Sequence, residues 1–285
     1  MEIKGNYKKT EIGIIPVDWE VKPLQKISVE IGDGIHATPI YTDNSDYFFI
    51  NGNNLDNGKI QINEDTQCVS MNEYFKYKVQ LGEKSILLSI NGTIGNLAFY
   101  NNEKVILGKS AAYINIVEGV VKDYIFYAIG SVATNKYFEN ELTGSTIRNL
   151  SLQSIRNTPI PLPPLHEQHA IAEALSDMDA LISSLDTLIA KKRAIKQGVM
   201  QELLTGKRRL PGFCDEWEFK MLVDIGFTYG GLSGKSKIDF EKGNYPYIPF
   251  LNILSNSIID IDFLDYVKIS PNEKQNNTKR DDLFF

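Results

Sequence analysis

The segments that come closest to a catalytic or metal-binding motif each lack something that the chemistry needs. Gly230–Ser236 reads GGLSGKS, with three residues between the outer glycines where a phosphate-binding loop has four. The run 166–169 reads HEQH, which is shorter than the HExxH spacing of a zinc site, and His36 is the only other histidine. We therefore expect no metal ion, and we expect His166 and His169 to cap or flank a helix.

The remaining motif-like segments also lack residues that a catalytic centre would need. Pro163-Pro164 lacks the flanking residues that an amino-methyltransferase uses, and no glycine-rich cofactor loop follows a strand. An acidic run contains Asp260, Asp262, Asp265 and then Lys268. Because acidic residues can bind the metal ions of nucleases, an endonuclease with an atypical site remains a less favoured alternative. We expect no cofactor in this chain, because nothing assembles a nucleophile with its base.

Three short segments combine small polar side chains with accessible backbone amides. Amides, hydroxyls and an arginine are groups that contact phosphates and base edges of DNA. The candidate DNA-binding residues are Gly34 and His36; Asn91, Gly92, Thr93 and Gly95; and Thr143, Gly144, Ser145, Thr146 and Arg148. Each segment by itself is equally typical of an ordinary turn.

An internal repeat organises the chain. Residues 18–22 (DWEVK) resemble residues 216–220 (EWEFK), and their tryptophans, the only two in the sequence, lie 198 positions apart. The same offset aligns Leu24 with Leu222, Gly32 with Gly230, Tyr47–Ile50 with Tyr245–Ile248 and Asn54 with Asn252. Solenoid units run ~20–50 residues, so this spacing predicts two copies of one domain instead. The offset places Leu283-Phe284-Phe285 on the strand-like run Ser85-Ile86-Leu87, and we expect the second copy to be C-terminally truncated.

A long helix is predicted between the copies. Ile160–Pro164 must be extended, because proline removes hydrogen-bond donors and disfavours helix before it. From about His166 to Thr205 there is no proline, and Gly206 and Pro211 suit a helix end. Apolar residues recur at intervals of three and four: Ile171, Leu175, Met178, Ile182, Leu185 and Ile189, continued by Ile195, Val199 and Leu203. The pattern predicts a coiled-coil type helix of roughly 60 Å that pairs with a partner.

Charge along this helix is polarised. The first half is acidic, with Glu167, Glu173, Asp177, Asp179 and Asp186, and the second half is basic, with Lys191, Lys192, Arg193 and Lys196. Antiparallel pairing with a similar helix would place each acidic half against a basic half. We favour this over a merely solvated face, because so long a helix cannot bury its apolar stripe on one small domain.

The first copy carries mixed helix and strand signals. Strands are predicted at Tyr47–Asn51, Ser85–Ile90, Leu97–Tyr100 and Ala112–Val117, and a helix at Val121–Ser131. Ser70 and Glu73 predict a capping box, and Asn51-Gly52, Asn57-Gly58 and Asn91-Gly92 predict turns. We expect an α+β, mixed-sheet recognition domain over 1–160, a Pro-rich segment and long helix over 161–206, and an incomplete second domain over 207–285.

Composition sets further bounds. The 285 residues are 42% hydrophobic and 23% charged, which is typical of a globular protein. The net charge is −6, so any nucleic-acid binding must depend on local charge. Cys68 and Cys214 suggest neither a disulfide framework nor a metal knuckle, and there is no signal peptide or membrane-length apolar run. These features favour a cytoplasmic protein.

Several segments resemble the specificity (S) subunit of type I restriction–modification enzymes. Residues 11–55, with Ile15-Pro16, Asp18-Trp19-Glu20 and Gly32-Asp33-Gly34, look like the start of a target-recognition domain, as do Ser89–Gly95 and Thr143–Thr146. Ile160–Gln168 is similar to the start of that family's spacer helix. Leu203–Phe213 is similar to the exit into the second recognition domain. The resemblance covers nearly the whole chain.

The resemblance implies a chain without a catalytic centre that reads one half of a bipartite site in double-stranded DNA. It implies that methyltransferase (M) subunits dock on the long helix, and that restriction (R) subunits complete the assembly. S-adenosylmethionine, ATP and Mg are then expected on those partner subunits. Because one long helix is present, we expect it to pair with a second copy or with a separately encoded half-subunit. A coiled-coil scaffold that binds no DNA, or an inactive or recombination-donor copy, remains an alternative.

Overall fold

A computed structural model describes residues 6–144, 148–240 and 243–284. The chain divides into two compact units, Met1–Ile195 and Lys196–Phe285. The strands of the first unit are β1 (Tyr7–Thr10), β2 (Gly13–Pro16), β3 (Glu20–Pro23), β4 (Ser28–Asp33), β5 (Tyr41–Thr42), β6 (Phe48–Ile50), β7 (Leu55–Asp56), β8 (Lys59–Ile60), β9 (Cys68–Val69), β10 (Ser85–Ser89), β11 (Leu97–Phe99), β12 (Val105–Leu107), β13 (Ala111–Ile116) and β14 (Pro159–Leu162). Its helices are α1 (Met71–Tyr77), α2 (Lys122–Ile129), α3 (Val132–Glu141) and α4 (Leu152–Asn157), followed by α5 (Leu165–Leu204).

Two four-stranded sheets form the centre of the first unit. One has the order β11-β10-β13-β4 and is antiparallel throughout. The other has the order β12-β6-β9-β5, in which β12 and β6 are parallel and the remaining pairs are antiparallel. This mixture of sheets and helices confirms the expected α+β class, and the four strands and the α2 helix predicted from sequence are all present within about a residue or two.

Strand β10 separates two hydrophobic clusters. Successive side chains of a strand point to opposite faces. Ile86 and Leu88 accordingly lie in the cluster beneath α2 to α4, whereas Leu87 lies in the cluster formed with β6 and β12. Both faces of β10 are therefore buried, which explains why its three central residues, Ile86, Leu87 and Leu88, are all apolar instead of alternating with polar residues.

Local turn and cap signals are reproduced, with one difference. Asn57 and Gly58 both have positive φ, the requirement of the two-residue hairpin that joins β7 to β8. The Ser70 hydroxyl caps α1 by accepting from the Glu73 amide. The expected reciprocal bond of a capping box is absent among the described contacts, because the buried Glu73 carboxylate instead accepts the Ile40 amide at 3.0 Å.

The Pro-rich segment is extended, as predicted. Its strand β14 pairs antiparallel with β3 in a two-stranded sheet, where missing proline donors are tolerated because neither strand is central. Helix α5 follows within three residues and ends at Leu204. Gly206 has a φ of +72° and donates its amide to the Leu203 carbonyl, which is the predicted left-handed helix end.

Only the first turns of α5 pack on the domain. Ala172 is buried and Ile171 contacts the cluster beneath α2 to α4. Beyond them the apolar stripe is exposed: Leu175, Met178, Leu181, Ile182, Leu185, Leu188, Ile189, Ile195 and Val199. Ile171 is therefore partly buried against the domain core, and Leu181 and Leu188 widen the exposed stripe beyond the residues named from sequence.

The second unit contains α6 (Leu222–Ile225), β15 (Tyr245–Tyr247), α7 (Phe250–Ser255) and β16 (Asp265–Val267). β15 pairs antiparallel with β16, and Tyr245 lies opposite Val267. In the first unit the Val69 amide donates to the Tyr47 carbonyl, and β6 pairs antiparallel with β9. Tyr47 lies 198 positions before Tyr245, and Val69 lies 198 positions before Val267. The repeat in sequence is therefore also a repeat in strand pairing. None of the described helices is long and apolar enough to span a membrane.

Candidate nucleic-acid interface

A cleft of about 230 Å³ lies where the candidate segments of the first unit meet. β4 and β10 both run antiparallel to β13, so the segments after β4 and β10 emerge at the same sheet edge as the turn before β13. The lining residues are Asp33, His36, Ile90, Asn91, Lys109, Asn149, Leu150, Ser151 and Leu152. The sheet order thus brings together residues that are far apart in sequence.

The first candidate segment is held tightly at its glycine. The Gly34 amide donates to the Ala111 carbonyl, and a Cβ built on Gly34 would lie 2.0 Å from the Leu107 carbonyl oxygen. Gly34 is therefore required by close backbone packing. His36 is exposed, and its Nε2 lies 2.9 Å from the Asp33 carboxylate, so the imidazole rather than the glycine faces the cleft.

The tip of the second segment is exposed to solvent. Gly92 and Thr93 are exposed, and Gly92 has a φ of +74° with open space around it. The Asn91 side chain donates to the Lys109 carbonyl at 3.4 Å, which positions its amide in the cleft. Gly95 has a φ of +94° and donates its amide to the Ser89 carbonyl, so it closes the turn.

The two ends of the third segment are hydrogen-bonded to each other beside the cleft. Thr143 and Asn149 exchange backbone hydrogen bonds at 3.0 and 2.9 Å, and Asn149 also forms a bridge with Asn91. Gly144 has a φ of +93°, and Arg148 is exposed. Ser145 and Thr146 lie outside the described residues. The bridge between Asn149 and Asn91 is what joins the second and third segments.

Sequence reasoning named two of the nine residues that line the cleft, His36 and Asn91, and missed the other seven, which include Lys109 and Asn149. Lys109 is exposed in the turn between β12 and β13, and its signal was the Gly-Lys-Ser turn directly after a buried strand. Asn149 had no local signal, because its role follows from its pairing with Thr143 and Asn91.

The groups of the cleft suit recognition of an anionic, hydrogen-bonding partner. Asn91 and Asn149 each carry a donor and an acceptor, and such an amide can bind an adenine edge bidentately. Lys109 and Arg148 supply positive charge at or beside the rim. Beneath the first segment, burial and a hydrogen bond to Glu30 raise the pKa of Tyr113 to about 12, so this phenol stays neutral and structural.

The motif-like segments elsewhere have structural roles. Lys235 of GGLSGKS is buried in an ion pair with Glu273 and also donates to the Lys268 carbonyl. In HEQH, Glu167 accepts the Trp19 indole N–H at 3.0 Å, whereas both histidines are exposed. Within the residues that the structure describes, no three His, Cys, Asp or Glu side chains cluster as a metal site would.

Comparison with known proteins shows the family to which the chain belongs. Residues 16–194 match the family model of the type I restriction modification DNA specificity domain. The chain is 26% identical over 276 residues to the type I restriction enzyme MjaIX specificity subunit of Methanocaldococcus jannaschii, covering 89% of this chain and 62% of that protein. It is 30% identical over 220 residues to the MjaVIII specificity subunit of the same organism, covering 72% and 50%.

The chain therefore spans about half to three fifths of the length of these relatives. The crystal structure of a type I restriction-modification S subunit from M. genitalium aligns with a TM-score of 0.47 at 18% identity, covering 71% of this chain and 47% of that one. That score is too low to add to the family match. Since the match to the family model extends over more than half of the residues, the chain belongs to the type I restriction–modification DNA specificity family.

Proposed function

We propose that the first unit reads one half of a bipartite site in double-stranded DNA, with the cleft facing the base edges. The observation that carries this proposal is the convergence of Asn91, Asn149, His36 and Lys109 at one sheet edge, in a chain of a DNA specificity family. The asparagines discriminate bases, and Lys109 and Arg148 contact phosphates and position the domain.

We propose further that the chain performs no catalysis and works in the cytoplasm with methyltransferase and restriction subunits. Those partners would carry S-adenosylmethionine, ATP and Mg. The chain's own net charge of −6 is compatible with DNA binding when partners supply much of the attraction to phosphate.

The exposed stripe of α5 is proposed as the pairing surface for a second copy of this chain or a separately encoded half-subunit. Exposed apolar side chains along so long a helix favour burial against another helix. The acidic first half and the basic second half are complementary in the antiparallel orientation. Such pairing would present two reading domains, one for each half of a split DNA site.

The test is co-purification with a type I methyltransferase subunit, followed by sequencing of methylated sites. We expect a bipartite site, with Asn91→Ala and Asn149→Ala each relaxing base choice in the half read by the first unit. A good bidentate contact discriminates by about 1–3 kcal/mol. Asn101→Ala, an exposed asparagine outside the cleft, is the matched control and should leave the site unchanged.

Other outcomes would redirect the proposal. Cleavage of DNA by the chain alone in a single-turnover assay would identify an endonuclease. Absence of DNA binding by the chain together with its methyltransferase would leave a scaffold. Unchanged methylation sites in both asparagine variants would remove the cleft from base reading.

A further inference from the structure

A cluster of lysines and aromatic rings lies on and beside α1. We call it the lysine–aromatic cluster. It comprises Tyr47, Tyr74, Phe75, Tyr77, Lys76, Lys78 and Lys104. The Tyr47 and Tyr74 ring centroids are 4.6 Å apart, and those of Tyr74 and Phe75 are 5.3 Å apart. The rings of Tyr47, Tyr74 and Phe75 are therefore in contact one after another.

Each lysine of the cluster lies over a ring. Lys76 Nζ is 4.5 Å from the Tyr77 centroid, Lys78 Nζ is 4.7 Å from that of Phe75, and Lys104 Nζ is 5.3 Å from that of Tyr47. Four of the five lysine–ring contacts within residues 6–144, 148–240 and 243–284 belong to this cluster. Attraction to the ring faces holds these ammonium groups in place without neutralising them.

Two of the three charges are free of carboxylates. Lys76 lies 3.5 Å from the Glu73 carboxylate. Across the part of the chain that the structure describes, Lys78 and Lys104 form no salt bridge, and both are exposed. The cluster is therefore a fixed, exposed cationic surface on a chain whose net charge is negative.

The strand topology relates this surface to the cleft. β6 and β12 are parallel, and the Phe48 amide donates to the Lys104 carbonyl where both strands begin. Lys109 of the cleft follows the other end of β12. Because only Val105–Leu107 are in a strand, the five residue steps from Lys104 to Lys109 span at most roughly 17 Å at ~3.3 Å each. A duplex advances ~3.4 Å per base pair, so on a duplex lying along β12 this separation would correspond to at most about five base pairs.

We propose that the lysine–aromatic cluster binds phosphates of the duplex to one side of the bases that the cleft reads, within about five base pairs of them. The inference rests on the proposed DNA-reading function and adds a contact without sequence preference. The rings hold the ammonium groups of Lys78 and Lys104, and these groups displace counterions from the DNA backbone. Outside the bases that are read, the duplex presents phosphates to a bound protein, and these phosphates are the same for every DNA sequence.

The test uses the full chain and a 30-base-pair duplex of mixed sequence, with binding measured by fluorescence anisotropy over a series of salt concentrations. The variant is Lys78→Gln with Lys104→Gln. We expect it to bind every sequence more weakly, and the slope of log K against log salt should fall in magnitude by about 1.8, or ~0.9 for each lost phosphate contact. Lys122→Gln removes a lysine that lies over Phe99, outside the cluster, and should leave the slope unchanged.

The outcomes separate the inference from the function on which it rests. If the wild-type chain binds the duplex and the double variant keeps its slope, the inference is wrong and the DNA-reading proposal stands. Equal losses in the double variant and Lys122→Gln would show a general effect of charge and would also overturn it. If the double variant binds DNA normally but no longer co-purifies with a methyltransferase subunit, the cluster is a protein interface. No duplex binding by the wild-type chain would count against both proposals.

Discussion

At the residue scale, a few polar side chains anchor the long helix to the first unit. Gln168 is 3% exposed, and its Oε1 accepts the Val121 amide while its Nε2 donates to the Pro163 carbonyl. The Trp19 indole donates to Glu167 one position earlier, and the Tyr127 hydroxyl donates to Asp179 at 2.8 Å. The HEQH run is therefore an attachment of the helix to the domain.

We predict that Gln168→Leu destabilises the first unit by about 2–4 kcal/mol, because it leaves a backbone donor and a backbone acceptor without partners. Urea unfolding followed by Trp19 fluorescence in a Trp217→Phe background measures the change. His169→Ala alters the exposed neighbour and should change stability by less than about 0.5 kcal/mol. Equal stabilities of the two variants would contradict the anchoring role.

A second residue-scale prediction concerns acid. Hydrogen bonds from Lys235, Gln275 and the Ser270 amide lower the pKa of Glu273 to about 2 from an ordinary value of 4.5. A depressed carboxyl pKa stabilises the folded unit fully above pH 4.5, and this contribution is lost as the pH falls from 4.5 towards 2. Trp217 fluorescence in a Trp19→Phe background should report loosening over that window, and Glu273→Gln should flatten it. A Glu273→Gln variant with the wild-type acid profile would refute this assignment.

At the element scale, α5 has two functions along its length. Its first turns complete the domain core through Ile171 and Ala172, and the remaining turns expose an apolar stripe. Leu185 lies within that exposed part, so changing it should affect association and leave the domain intact.

We predict that the wild-type chain sediments at about twice its mass of 32.2 kDa, and that Leu185→Glu yields monomers. Removing one buried leucine from each of two paired helices weakens association by about 100-fold or more. Sedimentation equilibrium measures the change, and Ser184→Glu on the adjacent helix face is the matched control. A wild-type monomer would exclude pairing with a second copy, and a Leu185→Glu dimer of unchanged affinity would show that α5 does not form the dimer contact.

At the scale of the whole molecule, paired helices would determine the distance between two reading domains. Seven added residues lengthen a helix by about 10.5 Å and keep the apolar stripe nearly in phase. Duplicating residues 182–188 should therefore widen the gap between the two halves of the DNA site by about three base pairs.

Sequencing of methylated sites in the presence of a methyltransferase subunit measures this gap. A five-residue insertion at the same place rotates the stripe by about 140° and should instead prevent assembly. A heptad variant that methylates sites with the original gap would show that the helices do not act as a spacer.

The sequence by itself determined the features that depend on neighbouring residues. The spacing of apolar residues in α5, the prolines of β14, the Ser70 cap and the Asn57-Gly58 hairpin all follow from local backbone preferences. Residues near in sequence decide these features, so no knowledge of sheet order is needed.

Only the tertiary structure decided which distant residues share a site. Asn91 and Lys109 are 18 positions apart, and they meet because β10 and β13 pair antiparallel and end at one edge. The parallel pairing of β6 with β12 likewise brings Lys104 beside Phe48, which lies 56 positions earlier in the sequence. Which strands pair depends on how apolar residues from the whole chain are buried together, so the residue types within one segment cannot specify the pairing.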